Sequence, residues 1–213
     1  MIEPHLMYFS TTHDRLKKLG VRIAGRKYTA SEFTNLIRRQ FPASDFIIRT
    51  FRDTTVDPDM IIVSGLYDCY DDSNHLPSIT ITLCYHPAQD AYFVDLINWE
   101  QFCFDVAECV GHEMVHRDQF KNGRKPAMKP YKSTHLNDRV REDQQYLGAE
   151  DEIEAYGFSI AAEMHSFNKT MHDCVMYNVY RDTFEADMRI VLQLEKQISQ
   201  YHRTLEKIYE QTN

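Results

Sequence analysis

The feature that most constrains this chain is the run His112-Glu113-Met114-Val115-His116, inside a stretch that predicts a helix from Trp99 to Phe120. Residues four apart on a helix lie one turn apart on the same face, so both imidazoles can reach one metal ion. Glu113 leans toward the same ion without ligating it, and it can take a proton from a water that the ion activates. The run therefore predicts a helix that carries a metal-assisted hydrolytic site.

The helix around this run has two chemically different sides. Its apolar residues recur at helical spacing and predict a buried face: Val106, Val110 and Met114. Its polar residues form a stripe on another side: Asp105, Glu108, His112 and His116. The alternative is a polar face that carries two histidines by accident, and the shared stripe favours a metal site.

A second acidic segment supplies candidates for a third ligand. A catalytic zinc ion usually takes three protein ligands and leaves a fourth position for water. The run Glu150-Asp151-Glu152-Ile153-Glu154-Ala155-Tyr156 opens a predicted helix that ends near Phe167. The two segments together resemble the gluzincin zinc metallopeptidases, in which a second helix supplies a glutamate ligand. The resemblance covers about residues 99–167, and the chain is also similar to a group of small phage-type proteins of peptidase type.

The resemblance implies Glu152 as the third ligand, with Glu154 in reserve. In that family a polar residue one turn after the ligand supports it, and from Glu152 this residue is Tyr156, with Ser159 a further turn along. The family more often has Asp or Asn at the position of Tyr156. From Glu154 the same step reaches Phe158, which cannot orient a carboxylate. An alternative for the whole acidic run is stabilisation of a helix N-terminus by negative charge.

Three histidines are rival third ligands, because other zincins use a histidine or an aspartate: His135, His165 and His172. His135 lies in a predicted loop and could swing into the site. His165 lies far round the second helix from Glu152, so the two would not serve one metal. Surface or capping roles are the alternative for all three histidines.

The activity that the resemblance implies is hydrolysis of peptide bonds with one Zn²⁺ ion. His112, His116 and Glu152 would hold the ion, and Glu113 would act as general base. The implied fold is α+β and zincin-like: a small mixed sheet, the helix with both histidines, the third-ligand helix and a long C-terminal helix. We expect one domain over residues 1–213, made of an N-terminal helix and sheet (about 1–98), the metal-binding helices (99–167) and a C-terminal helix (183–211).

The residues before the motif predict a helix and four strands. The helix spans Ser31 to Gln40, and the apolar, β-branched runs that predict strands are 46–51, 60–63, 79–85 and 92–97. Pro87-Ala88-Gln89-Asp90 predicts a hairpin between the last two strands, and residues 68–77 predict a loop. In zincins an edge strand commonly pairs with an extended substrate. The strand Ile79 to Tyr85 is the predicted edge.

A basic segment, Lys121 to Gly148, joins the two predicted ligand helices in an otherwise acidic chain. Gly123, Pro126 and Pro130 interrupt regular structure there. Two interpretations remain open: a lid or cleft wall that favours an acidic partner, and a solvated loop, which we prefer slightly. Zincins often use a tyrosine or histidine to stabilise the oxyanion, and the segment offers three candidates: Tyr131, His135 and Tyr146.

The stretch Thr183 to Glu210 predicts one long helix. Its apolar residues recur at spacings of three and four: Phe184, Met188, Val191, Leu194, Ile198, Tyr201, Leu205 and Ile208. The helix could serve oligomerisation, but the short and mixed repeat favours packing within the chain.

Composition and charge restrict the partners and the cellular compartment that we expect for this protein. A formal net charge of −8 argues against nonspecific nucleic-acid binding by the molecule as a whole. No apolar run approaches the length of a membrane span, and no secretory signal is recognisable at the N-terminus. Five cysteines without a Cys-x-x-Cys pair predict reduced thiols. We therefore expect a cytoplasmic protein, in the host cytoplasm if a virus encodes it, with protein or peptide substrates and no membrane partner.

Three other functions compete with this interpretation. Peptide deformylases share the His-Glu-x-x-His pattern, but their cysteine ligand lies in a glycine-rich motif that is not found near Cys69 or Cys84. A viral structural or interaction protein could keep a metal for stability alone, although such a site has no use for the base Glu113. A protease acting on nucleic-acid-bound proteins has only the basic segment in its favour.

Overall fold

The computed structural model is an α+β protein, and it describes residues 4–42, 45–58, 60–68, 78–88, 92–123 and 131–212. The chain forms two compact units, unit 1 (Met1–Met114) and unit 2 (Val115–Asn213). The boundary between them falls inside one continuous helix. A single domain over residues 1–213 stays a prediction.

Unit 1 begins with two helices. Helix α1 (Pro4–Ile23) buries an apolar side that includes Leu6, Phe9 and Leu16. It was not predicted as a separate element. Strand β1 (Lys27–Tyr28) leads into helix α2 (Ala30–Arg38). Helix α2 starts with a capping box, in which the Thr29 side chain accepts from the Glu32 backbone N–H and the Glu32 carboxylate accepts from the Thr29 backbone N–H. The helix predicted over Ser31 to Gln40 is confirmed.

The sheet of unit 1 has three strands, β2 (Phe46–Arg52), β3 (Ile61–Asp68) and β4 (Ser78–Tyr85), in the order β2-β4-β3. Strand β4 pairs parallel with β2 and antiparallel with β3. The prediction that Ile79 to Tyr85 is an edge strand was therefore wrong. The buried residues of β4 lie on both of its faces, as in a central strand: Ile79, Ile81 and Leu83 on one face and Thr80 on the other. Strand β3 lies at an edge of the described sheet.

The predicted strand from Tyr92 to Ile97 is also mostly wrong. Strand β5 covers only Tyr92–Phe93, and helix α3 begins at Leu96. Strand β5 pairs antiparallel with β1, so the predicted hairpin with Ile79 to Tyr85 does not form. The end of its predicted turn, residues 89–90, and most of the predicted loop 68–77 lie outside the described residues.

Helix α3 (Leu96–Lys121) carries the His-Glu-x-x-His run and confirms the predicted helix. Val106, Val110 and Met114 are fully buried, as their spacing predicted. Burial extends beyond that face, since Cys103, Ala107 and Cys109 are buried too. A helix buried on most sides is held rigidly by its neighbours, so side chains on it have fixed positions.

Unit 2 is helical in its described part. Beyond α3 it contains α4 (Asp138–Leu147), α5 (Glu150–Phe167), a 3₁₀ turn (Met171–Asp173), α6 (Val175–Thr183) and α7 (Met188–Thr212). Helix α5 has the bounds that the sequence predicted. It packs on α7, and the contact is close: a Cβ added at Gly157 would lie 2.5 Å from the Cβ of Gln197.

Two predictions for this half of the chain need correction. The stretch Thr183 to Glu210 is not one helix, because α6 ends at Thr183 and α7 starts at Met188. The central part of the apolar repeat of α7, from Val191 to Leu205, is buried within the chain, whereas Met188 is exposed; packing within the chain accounts for the buried part without oligomerisation. The basic segment Lys121 to Gly148 is not simply a loop, because α4 occupies Asp138–Leu147; residues 124–130 lie outside the described part. No described helix has the length and apolar character needed to cross a membrane.

Candidate metal centre

Helix α3 places both histidines of the motif. His112 and His116 lie one turn apart on this uninterrupted helix. His112 is buried, and the side chain of His116 is 13 % exposed. Low exposure strengthens the binding of a cation to these nitrogens, because little water competes for them.

Helix α5 supplies the third residue. One ligand atom from each of His112, His116 and Glu152 lies within 4.8 Å of the other two, and these form the group of possible metal ligands among the described residues. His116 Nε2 lies 3.6 Å from Glu152 Oε1. The structure thus brings together the two histidines and the glutamate that the resemblance implied.

The donor set fits one transition-metal ion. Two zinc bonds of about 2.0–2.1 Å at a tetrahedral angle separate the ligand atoms by about 3.4 Å, close to the 3.6 Å between His116 and Glu152. Two imidazoles and one carboxylate are a set that zinc accepts in catalytic sites, with a fourth position left open. No cysteine takes part among the described residues, so a deformylase-like ligand set is not supported.

Gln119, which was not predicted as a site residue, orients His116. Its amide nitrogen donates to the backbone oxygen of Asp151 (3.0 Å) and to Glu154 Oε2 (3.1 Å). Its amide oxygen therefore faces His116 Nδ1, at 3.0 Å, and accepts a hydrogen bond from the N–H there. This contact fixes the tautomer of His116 with a lone pair on Nε2, the atom nearest Glu152. In the sequence, Gln119 stands out only by its place three residues after His116, and this place does not reveal its partners on α5.

The reserve ligand Glu154 has other partners. Its carboxylate accepts from Gln119 and, at 3.4 Å, from the hydroxyl of Tyr201 on α7. Glu152 and Glu154 are two residues apart, so they point to different sides of α5. Glu152 lies with the histidines, whereas Glu154 holds the glutamine that orients one of them.

Glu113 lies against strand β3 inside unit 1. A Cβ added at Gly65 would lie 2.7 Å from both Cγ and Oε1 of Glu113, and 2.7 Å from Sγ of Cys109. The missing side chain at Gly65 therefore provides the space in which the glutamate lies. Glu113 is only 8 % exposed. Burial, with the charges of Glu108 and Glu113, raises the pKa of the Cys109 thiol well above its usual value, so this thiol stays protonated.

Tyr146 and Tyr156 lie next to the third ligand. The Tyr146 hydroxyl is hydrogen-bonded to Glu152 and to Tyr156. Burial of this hydroxyl, followed by the charge of Glu152, raises its pKa far above the usual value, although the residue as a whole is 53 % exposed. Tyr156 packs edge-on against Tyr180, with ring centroids 5.7 Å apart. Tyr146 is thus a protonated donor held beside Glu152.

The remaining candidates lie elsewhere or have a packing role. The Tyr131 hydroxyl donates to Asp187, and His135 is exposed, with Nδ1 accepting from the backbone of Asn137. Ser159 is buried on α5. Two rival histidines pack against aromatic rings, His165 on Tyr209 and His172 on Tyr177. None of these residues belongs to the metal-ligand group found among the described residues.

No protein-family model, curated protein or solved structure matches this chain.

Proposed function

We propose that this protein is a zinc-dependent peptidase of the gluzincin type, with a zincin-like fold. The observation that carries the proposal is the convergence of His112, His116 and Glu152, with one ligand atom of each within 4.8 Å of the others. Glu113 lies between the two histidines in sequence and is buried on the same helix. A metal held for stability alone needs the ligands, but it does not need this glutamate.

Each residue of the site has a separate role in the proposed hydrolysis. A zinc ion held by this group supplies Lewis acidity, since it lowers the pKa of a water molecule toward neutrality and polarises a carbonyl group. Glu113 accepts the proton of the attacking water and delivers it to the leaving amine. Gln119 holds the ring of His116 at a fixed angle. The hydroxyl of Tyr146, held beside Glu152, is the donor that we assign to the oxyanion that develops on the carbonyl.

Strand β3 supports a peptide as substrate. It pairs with β4 alone among the described strands, which leaves one edge of its backbone for pairing with an extended chain. Gly65 of this strand lies against Glu113. A peptide paired with β3 would therefore pass close to the general base. We therefore assign substrate pairing to the edge strand β3 (Ile61–Asp68). The edge strand expected from the sequence was Ile79 to Tyr85.

The cysteines and the net charge indicate a cellular compartment and a substrate class for the proposed enzyme. The described cysteines Cys84, Cys103, Cys109 and Cys174 are free, which supports a reducing compartment such as the cytoplasm. The substrate we propose is a protein or peptide; the acidic net charge of −8 disfavours nucleic acid.

Metal analysis followed by digestion of a casein or peptide library, with and without a chelator, tests the proposal. We expect one zinc ion per chain and cleavage that the chelator abolishes. Glu113→Gln should keep the zinc and lose about 10²–10⁴-fold in activity, because it removes the proton acceptor alone. Glu108→Gln, five residues earlier on the same helix, is the matched control and should retain activity.

The outcomes separate an enzyme from a metal-stabilised scaffold. Zinc binding without any cleavage would favour a structural or interaction role. Substantial zinc-dependent activity in Glu113→Gln would remove the general-base role. Unchanged zinc stoichiometry and affinity in Glu152→Ala would remove that residue from the site.

A further inference from the structure

A cavity of about 310 Å³ lies in unit 1, beside the first half of α3 and the start of β3. It is separate from the group of metal ligands, and nothing in the proposed mechanism uses it. Its walls combine three aromatic rings with two carboxylates: Phe33, Trp99, Phe102, Asp95 and Asp105. No lysine or arginine is among the described residues that line it.

The aromatic wall is rigid. The rings of Phe33, Trp99 and Phe102 are mutually in contact, with centroids 5.1–5.9 Å apart. Phe33 and Trp99 are almost fully buried. The indole N–H of Trp99 donates to the backbone oxygen of Leu16 at 2.9 Å, which fixes the ring in place. Such a wall can pack against an alkyl stem and attract a cation to its ring faces.

The carboxylates set the sign of the charge that the cavity accepts. The Gln101 amide donates to Asp105 Oδ1 at 2.7 Å and orients this carboxylate. An ionised carboxylate has about four acceptor positions, so it can bind a guanidinium or ammonium group in addition. A purely apolar occupant would strip water from two carboxylates without replacing it, and an acidic occupant would be repelled.

We propose that this cavity is a subsite for an arginine or lysine side chain of a bound peptide. The alkyl stem packs on Trp99 and Phe102, and the charged end reaches Asp105 and Asp95. Arginine fits best, because its planar group both stacks on rings and pairs with carboxylates.

The position of the cavity relates it to the proposed peptidase site. Asp105 and His112 are seven residues apart on α3, which is two turns, or about 10.5 Å, along the same face. Ile61 of β3 lines the cavity, and Gly65 of the same strand lies against Glu113. Ile61 and Gly65 are four positions apart, which is about 13 Å along the strand. If the proposed function holds, the basic residue therefore lies about three or four positions from the bond that is cut.

Binding can be measured without any hydrolysis, because Trp99 is the only tryptophan of the chain and lines the cavity. The probe is a blocked pentapeptide of alanines with one central arginine, titrated into the full-length Glu113→Gln protein with and without chelator. The control peptide carries citrulline, the neutral isostere of arginine. We expect a saturable change of Trp99 fluorescence with the arginine peptide in both conditions, and at least about tenfold weaker binding of the citrulline peptide, as expected for loss of a charge pair with a carboxylate.

Substitutions of the two carboxylates test whether the arginine peptide binds in this cavity. Asp105→Asn and Asp95→Asn should each weaken binding of the arginine peptide several-fold, while Glu108→Gln, outside the cavity, should leave it unchanged. Equal binding of the two peptides, or unchanged binding by both aspartate variants, would overturn the subsite. If arginine binds in this way but the zinc-loaded protein cleaves nothing, the subsite stands and the proposed peptidase function fails. If the protein cleaves library peptides without preference for arginine or lysine near the cut bond, the subsite fails and the peptidase stands.

Discussion

Gln119 links the second histidine to the helix that carries the third ligand. Its amide accepts from His116 and donates to the Asp151 backbone and to Glu154. Both ends of the amide are used, so the group cannot rotate without losing a hydrogen bond in a buried place. A metal-ligating histidine needs such a partner on its other nitrogen to hold the ring and its tautomer.

We predict that Gln119→Met weakens zinc binding by about 10–100-fold, the usual cost of losing a partner of a ligating histidine. Methionine keeps the volume of the side chain but provides no strong acceptor for His116. Competition with a chromogenic chelator measures the affinity, and denaturation of the metal-free protein measures any loss of fold stability separately.

A paired substitution provides the control. In Gln119→Glu/Glu154→Gln the new carboxylate still accepts from His116 and from the new amide at 154, while the hydrogen bond to the Asp151 backbone oxygen is lost. We expect this pair to bind zinc within about tenfold of the original protein, better than Gln119→Met, since the hydrogen bond to His116 is kept. Wild-type affinity in Gln119→Met would show that Gln119 does not orient the ligand.

For individual residues, the sequence predicted the three metal ligands but not Gln119, the residue that orients one of them. The four-residue spacing of His112 and His116 is a local property of a helix, so it could be read directly. The choice of Glu152 over Glu154 needed the resemblance to a family. Gln119 was missed because its role depends on a contact between residues 32 positions apart, which no local pattern encodes.

Among the elements, β3 controls the space around Glu113. Gly65→Ala would place a methyl group 2.7 Å from the Glu113 side chain, so the glutamate must move. We expect a loss of stability of about 1–3 kcal/mol from overpacking, a loss of peptidase activity, and unchanged zinc content. Urea denaturation and digestion assays measure these effects, and Ser64→Ala, at the exposed neighbouring position, is the control. Full activity in Gly65→Ala would mean that the position of Glu113 is not critical.

The start of α7 depends on Asp187, one residue before the helix. Its carboxylate accepts from the Arg189 guanidinium at 2.8 Å and from the Tyr131 hydroxyl at 3.1 Å. The hydrogen bonds from Arg189, then that from Tyr131, lower the pKa of Asp187 from 3.8 to about 2. Because the folded-state pKa is depressed, the charge of Asp187 stabilises the protein above about pH 4, and this contribution is lost as the pH falls toward 2.

Asp187→Asn should therefore lower the urea midpoint at about pH 6 and have a smaller effect at about pH 3, where the original carboxylate is already gaining protons in the unfolded chain. Parallel denaturation curves of both proteins at the two pH values make the comparison. The same shift at both pH values would mean that the charge of Asp187 does not contribute.

The periodic helices could be predicted from the sequence, but the order of the strands in the sheet could not. Helices α3 and α5 were predicted from the spacing of their apolar residues and from their charged residues, because the buried and exposed faces of a helix repeat within a few turns of sequence. The predicted edge strand proved central, since strand order in a sheet is set by partners far along the chain. The break between α6 and α7 was hidden because Phe184, in the turn, is buried as well as the helix residues around it.

For the molecule as a whole, metal binding is expected to raise stability, because only the folded chain brings the three ligands together. At a free zinc concentration 1,000 times the dissociation constant, the gain is about 4 kcal/mol, or about 10 °C in Tm for a chain of this size. Calorimetry with zinc and with chelator measures the gain, which Glu152→Ala should reduce sharply. A Tm that zinc does not change would argue against a specific site.

The strand order also has a consequence for how the chain folds. Strands β2 and β3 follow each other in sequence, yet they are not hydrogen-bonded to each other, because β4 lies between them. The sheet of unit 1 therefore cannot grow strand by strand as it emerges during synthesis; β2 must wait until β4 has been made. The antiparallel pair β3–β4 closes the shorter loop, so it is the favoured first step. The strand that lies against Glu113 would then be in register before the sheet is complete.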